Sequence, residues 1–257
     1  MNQFERIPNL KGKIAVIVGA AGQIGFATTA RLVALGANVF CLVRRNAEDM
    51  QDRLSKLPNY NPESHSVLLV DITNSESIKF AVDNVTKKFG ECHILINAAG
   101  TTRSIPPDRL ELLSDEIFDE IVTTNLRGVF ATVREFAPLL KRTGDGVIIN
   151  ISSTASLRAG RSNVAYAAAK AGLNLMTQTL AKALAPEIRL LAIAPGYMVH
   201  PTSGAQKAAD FNTKAALACP LKRIGYADDI VNTIESCLTT IRFSTGSLFV
   251  VDGGRTL

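Results

Sequence analysis

The chain has 257 residues, 47% of them hydrophobic and 20% charged, with a formal net charge of +5. That length holds one large domain or two small ones, and the composition is that of a globular protein, not a disordered or fibrous one. The basic residues are dispersed into short pairs such as Arg44-Arg45, Lys87-Lys88 and Lys141-Arg142, without a basic helix or an aromatic platform, which argues against a nucleic-acid partner.

The longest apolar runs, such as Ile14 to Val18 and Leu190 to Ala194, are too short to cross a bilayer. The opening stretch, MNQFERIPNLKGK, has no apolar core behind a basic start. A cytoplasmic protein with no membrane partner is therefore expected. Cys41, Cys92, Cys219 and Cys237 form no CxxC pair and read as reduced, buried thiols. His65, His93 and His200 share no metal-ligand spacing, so neither a metal nor a serine–histidine–aspartate triad is expected.

Along the chain, apolar runs of strand length alternate with amphipathic stretches of helix length. The strands are expected at 13–19, 38–43, 66–71, 93–97, 146–152, 188–194 and 247–252. They are apolar on both faces, as a parallel sheet covered by helices on each side requires. Helices are expected over Ile24 to Leu35, Ala47 to Leu57, Ser75 to Phe89, Ser114 to Arg142 and Asn163 to Leu184. The first and third stop at Gly36 and Gly90, the second before Pro58. The alternation predicts an α/β fold, a single Rossmann-type domain over 1–257 whose doubly wound parallel seven-stranded sheet carries helices on both faces. The stretch from Tyr197 to Pro220, rich in Ala, Thr, Ser and Lys, reads as a lid over a pocket at the strands' carboxyl ends.

The first strand runs into Gly19-Ala20-Ala21-Gly22-Gln23-Ile24-Gly25 and then a helix. Glycines at such a junction let the backbone approach a pyrophosphate at the helix N-terminus. Gly19, Gln23, Ile24 and Gly25 are the candidate contacts. At the end of the second strand an acidic residue would bind the ribose of NAD, but this chain has Arg44 and Arg45. Guanidiniums suit a 2′-phosphate, so NADP(H) is favoured over NAD(H). Asp71 either accepts from an adenine amino group, with Ile72 over the ring, or caps the next turn through Thr73 and Asn74. Asn97, Ala98, Ala99 and Gly100 end the fourth strand with small residues, leaving room for a ribose and nicotinamide.

Tyr166 and Lys170 stand at i and i+4 of a predicted helix, on one face. An ammonium beside a phenol favours the phenolate and lowers its pKa, which suits an acid or base acting on a carbonyl or alcohol oxygen. Ser153 follows the fifth strand, where its hydroxyl can polarise a carbonyl. With Asn125 on the long helix, these four residues form the candidate catalytic set.

Over essentially its whole length the chain resembles the short-chain dehydrogenase/reductase family. Gly19 to Gly25 resembles the family's cofactor turn, and Asn97 to Gly100 its Asn-Asn-Ala-Gly element. Asn125, Ser153, Tyr166 and Lys170 match its tetrad in order and spacing. Pro195-Gly196, Thr245-Gly246 and Asp252-Gly253-Gly254 match further marks. The resemblance implies that Tyr166 exchanges a proton with substrate oxygen and that Lys170 binds the nicotinamide ribose. It further implies that Ser153 holds that oxygen and that Asn125 positions a water. The backbone from Pro195 through Gly196 to Val199 would face the carboxamide. It also implies a homotetramer or homodimer. Departures are Val18 for the usual Thr, Gln23 for the middle glycine, Ala98 for the second Asn, and Leu191 where Asn is common.

The substrate is less legible. Ser153, Asn163, Tyr166 and Tyr197 are the candidate pocket residues, with Arg103, Arg158 and Arg161 near the mouth. A ketone or secondary alcohol is expected; chain length and the Asn-Ala-Ala-Gly-Thr-Thr-Arg run after the fourth strand resemble 3-oxoacyl-carrier-protein reductases, which would take a 3-oxoacyl thioester. Pteridine reduction and sugar or polyol oxidation stand as alternatives. A dinucleotide sensor without turnover, or a lyase or dehalogenase without cofactor, are the rival classes.

Overall fold

A computed structural model of the chain describes residues 9–160, 162–199 and 212–257. Residues 200–211, the middle of the expected lid, lie outside the described residues, as does Arg161. Seven strands form one parallel sheet: β1 (Ile14–Val18), β2 (Asn38–Val43), β3 (Ser66–Leu69), β4 (Ile94–Asn97), β5 (Gly146–Ile151), β6 (Ile188–Pro195) and β7 (Leu248–Val251). Their order is β3-β2-β1-β4-β5-β6-β7. The order reverses between β1 and β4, and a sheet that reverses opens a crevice beyond its carboxyl ends at that point.

Helices cover both faces, and the strands show why. Side chains alternate sides every residue. Ala15, Ile17, Val39, Cys41, Ile149 and Ile193 point one way, towards α1 (Gln23–Ala34), α2 (Ala47–Ser55) and α7 (Ala227–Thr239). Val16, Val18, Phe40, Leu42, Leu95 and Ile148 point the other way, towards α3 (Ser75–Phe89) and α5 (Gly128–Arg142). The second layer also takes Ala181 of α6 (Val164–Leu184).

Two boundaries differ from the sequence reading in a way that matters. The expected helix from Ser114 to Arg142 is divided: α4 (Asp115–Val122) and α5 are joined by a π-helical turn over Thr123–Arg127. The third strand stops at Leu69, so Val70 and Asp71 belong to the crevice edge, although Val70 N still donates to Val43 O at 2.8 Å.

The turn from β1 into α1 depends on two glycines. Gly19 has φ +79°, and a Cβ there would lie 2.6 Å from Ala99 N on the neighbouring strand's exit. A Cβ on Gly25 would lie 2.2 Å from Gly19 O, so the helix reaches the strand only without a side chain. Gly25 is therefore a spacer between helix and strand, and the partly buried Ile24 side chain packs against the core. Gly25→Ala is expected to lose about 1–3 kcal/mol, as overpacking of a close contact does. Gly22→Ala, whose Cβ would sit 3.3 Å from the same oxygen, should lose less. Thermal melting of the two variants checks this; wild-type stability for Gly25→Ala contradicts it.

Candidate active site

Because all seven strands run parallel, their exits gather at one edge. Gly19, Arg44, Asp71 and Gly100 follow β1, β2, β3 and β4, and together line one cleft. Ile72, Ala98 and Ala99 line it too. Arg44 and Arg45 are both exposed, and of the two Arg44 belongs to this lining. Asp71 Oδ1 accepts from Thr73 N at 2.8 Å and from Thr73 Oγ1 at 2.7 Å, closing the turn. Burial pushes the Asp71 carboxyl up, but the Thr73 bonds and the nearby Arg44 and Arg127 hold it below its ordinary pKa. It is thus an anion that both caps the turn and faces the cleft.

Several lining residues escaped the sequence reading. Val18, Leu42 and Val70 supply apolar walls, and Gly22 and Thr124 join them. Thr124 Oγ1 is buried without a hydrogen-bond partner. Arg53 of α2 also reaches this end: its guanidinium donates to Ala21 O at 3.1 Å and stacks 3.9 Å over the Phe26 ring. Nothing in the spacing of Arg53 signals that contact, which depends on how α2 folds back onto the glycine turn.

At the far end of the glycine turn, Gln23 Nε2 donates to Val199 O at 2.7 Å. The two candidate cofactor contacts meet each other across the crevice mouth. Val199 N in turn donates to Gly225 O at 3.0 Å, and Tyr197 O accepts from Gly225 N at 3.1 Å. The Tyr197 ring lies 5.9 Å from the Arg255 guanidinium. Pro195 ends β6, and Gly196 N donates to Val251 O at 2.9 Å.

The four tetrad residues converge beyond β4 and β5. Ser153 leaves β5 and its Oγ accepts from Ala155 N at 3.1 Å, which leaves the hydroxyl hydrogen free for Tyr166 or a ligand. The Ser153 hydroxyl lies near enough to the Tyr166 phenol to lower that phenol's pKa. The turn behind it is braced: Ser152 Oγ donates to Asn174 Oδ1 at 2.6 Å, and Asn174 Nδ2 to Ser156 Oγ at 2.8 Å. Lys170 is only 3% exposed, and its Nζ donates to Ile151 O at 2.8 Å. Asn125 lies on the π-turn, its Nδ2 donating to Thr101 O at 2.7 Å and Ile121 O at 2.9 Å. Its Oδ1 is buried without a partner. A Cβ on Gly100 would stand 2.8 Å from that oxygen and 3.7 Å from Lys170 Nζ, so glycine keeps the approach open.

Three expectations change here. Tyr166 is not made more acidic by its lysine: burial pushes the phenol up, and the Ser153 bond only partly offsets this. The amine is turned to Ile151 O and is itself pushed down to about 8 by burial. Asn97, expected among the cofactor contacts, spends its side chain inside the protein, donating to Asn150 Oδ1 at 2.9 Å and accepting from Thr132 Oγ1 at 2.8 Å. Asn163, expected in the substrate pocket, is the buried N-cap of α6, with Oδ1 accepting from Tyr166 N at 2.8 Å.

These residues fit a nicotinamide dinucleotide. The cleft offers a glycine turn at a helix start, a guanidinium and a carboxylate at successive strand ends, and the orphaned buried Thr124 Oγ1, with a second orphaned oxygen, Asn125 Oδ1, beside its lining residue Gly100. Among the described residues no group of three or more His, Cys, Asp or Glu is placed to hold a metal ion, and no helix is long and apolar enough to cross a membrane.

The buried amine gives a pH signature. The folded pKa of Lys170, about 8, lies below the ordinary 10.5, so folding disfavours the charged form. The cost is present in full below pH 8 and disappears as pH rises through about 8 to 10.5. Lys170→Met is expected to melt higher than wild type at pH 7, with the gap closing over that window. A gap that widens with pH contradicts the burial argument.

The comparisons with known proteins agree with this geometry. The model of the short chain dehydrogenase family matches residues 13–211. The chain is 32% identical to the 3-oxoacyl-[acyl-carrier-protein] reductase FabG of Thermotoga maritima, covering 95% of this chain and 98% of that protein. It is 31% identical to an NAD-dependent glycerol dehydrogenase of Listeria innocua, covering 99% and 98%. Among solved structures, a short-chain alcohol dehydrogenase from Sinorhizobium meliloti, described as putative, superposes with a TM-score of 0.86 at 27% identity, covering 97% and 98%. From the sheet order, the strand-end cleft and these matches together, the chain belongs to the short-chain dehydrogenase/reductase family.

Proposed function

We propose that the chain is an NADP(H)-dependent carbonyl reductase or alcohol dehydrogenase that passes a hydride between nicotinamide and a ketone or secondary alcohol, with a 3-oxoacyl thioester as the favoured substrate class. The observation that carries this reading is the convergence of Ser153, the Tyr166 ring and a buried Lys170 amine 5.7 Å from that ring's centre, at the sheet edge that also presents the cleft. The dinucleotide, when bound, supplies the hydride. Gly19, Gly22, Arg44, Asp71, Ile72 and the backbone of Ala98 to Gly100 would hold its adenosine half. Tyr166 and Lys170 would hold the nicotinamide ribose, and the Pro195 to Val199 backbone the carboxamide.

The chain's own part is proton movement and orientation. Ser153 holds the substrate oxygen by its hydroxyl hydrogen, and Tyr166 delivers its phenolic proton to the same oxygen as negative charge develops there. A phenol whose pKa is raised by burial stays protonated at neutral pH, which is the form a proton donor needs. Lys170 and Asn125 Oδ1, both beside Gly100, lie where the proton can be replaced from water. Arg44 supports NADP(H) over NAD(H), because its guanidinium lines the cleft at the end of β2. The glycerol dehydrogenase relative uses NAD, so NAD(H) is the alternative tested below. Oligomerisation as a homodimer or homotetramer and a cytoplasmic setting belong to the same proposal.

Tyr166→Phe is expected to lower turnover by about 10²–10⁴-fold, the usual contribution of a positioned acid, while NADPH binding stays near wild type. Carbonyl reduction followed at the NADPH absorbance band, with binding followed by fluorescence, checks both; equal activity in the variant removes the proton donor. Arg44→Ala should weaken NADPH far more than NADH, and Arg45→Ala should change little. An unchanged NADPH preference in Arg44→Ala would show that the 2′-phosphate is held elsewhere or not required.

A further inference from the structure

We propose that Asn163 is a positioning residue of the reaction centre, fixing the first turn of α6, and with it the Tyr166 hydroxyl, against the strip of residues 101–103 that follows β4. The proposal deepens the reading of Tyr166 as proton donor and rests on it. Asn163 is 1% exposed. Its Oδ1 accepts from Tyr166 N at 2.8 Å, and its Nδ2 donates to Thr102 Oγ1 at 3.1 Å and to Arg103 O at 2.8 Å. Both amide hydrogens are used, so the side chain has no donor left for a substrate.

A helix cap needs only the first of these bonds, and serine, threonine or aspartate supplies it as well as asparagine does. The other two need an amide nitrogen, so capping alone does not account for the residue. The same strip is held from the opposite side, where Asn125 Nδ2 donates to Thr101 O at 2.7 Å. Two buried amides on different helices thus grip three consecutive residues. A Cβ on Gly100, immediately before them, would stand 2.8 Å from Asn125 Oδ1 and 3.7 Å from Lys170 Nζ. Strip, phenol and amine therefore form one braced unit. Release of the Asn163 bonds would let the first turn of α6 shift relative to Ser153, which is carried separately on the exit of β5.

Asn163→Ser separates the two roles, because it keeps a cap for Tyr166 N and drops the strip; Asn163→Ala drops both. With ethyl acetoacetate as a 3-keto ester probe, Asn163→Ser is expected to melt close to wild type yet lose about 10- to 100-fold in kcat, since a misplacement of about 1 Å costs that much. The KM for the probe and the NADPH dissociation constant should stay within about twofold. Wild-type kcat in Asn163→Ser overturns the proposal, and so does a loss confined to KM, which would return Asn163 to the substrate pocket. A second measurement does not depend on turnover. In protein labelled at the tyrosine ring carbon that bears the hydroxyl, the Tyr166 resonance, identified by its loss in Tyr166→Phe, reports the surroundings of that hydroxyl. It should move in Asn163→Ser, and an unmoved resonance overturns the proposal even if the wild-type chain reduces no carbonyl.

Discussion

The Lys170 amine sits out of water against the Ile151 carbonyl, beyond the strand that also delivers Ser153. Taking an ammonium out of water is costly, and the cost appears as a pKa pushed down to about 8. A fold optimised for stability alone would place an apolar side chain there. The surroundings are instead arranged to keep the amine and to leave a narrow opening beside it. Gly100 carries no Cβ, Asn125 holds its Oδ1 free of protein partners, and the helix that bears Asn125 widens into a π-turn at that residue. Such single-turn bulges are frequent at functional sites.

That arrangement depends on the sheet. Parallel strands place every exit on one edge, so residues far apart in sequence meet without long loops. Ser153 leaves β5 while Tyr166 lies in the first turn of α6, and the 3₁₀ turn over Thr154–Ser156 sets the spacing between them. The buried Asn97–Asn150 bond joins directly paired positions of β4 and β5 and so fixes the two strand ends against each other. Together with Thr132 and Thr177, those amides form a satisfied polar network beneath the site, and a network of that kind rigidifies what it supports.

Much of the fold was legible because strand length and apolar content are local properties. The second strand, residues 38–43, matches to the residue, and the others differ by a position or two at their ends. The tetrad was legible because its residues fall at fixed offsets after strands and along one helix. The rest was not, for physical reasons. A π-turn keeps the composition of a helix and alters only its hydrogen-bond register. The direction of the Lys170 amine is set by a carbonyl nineteen positions away in sequence, and the raised Tyr166 pKa by burial that only the packed fold supplies. Asn163 carries the chemistry of a substrate contact and of a helix cap alike, and only packing decides between them. Gln23, read as a departure from the glycine turn, finds Val199 O across 176 residues.

Movement of a hydride to carbon is the claim on which the functional reading stands. NADPH carrying deuterium on the transferred face, incubated with the chain and a 3-keto ester in ordinary water, tests it most directly. The account expects the alcohol product to carry one deuterium on its carbinol carbon, with loss of the NADPH absorbance in equal amount. Product without that label, or NADPH that binds and is never oxidised across a panel of carbonyl compounds, would contradict it.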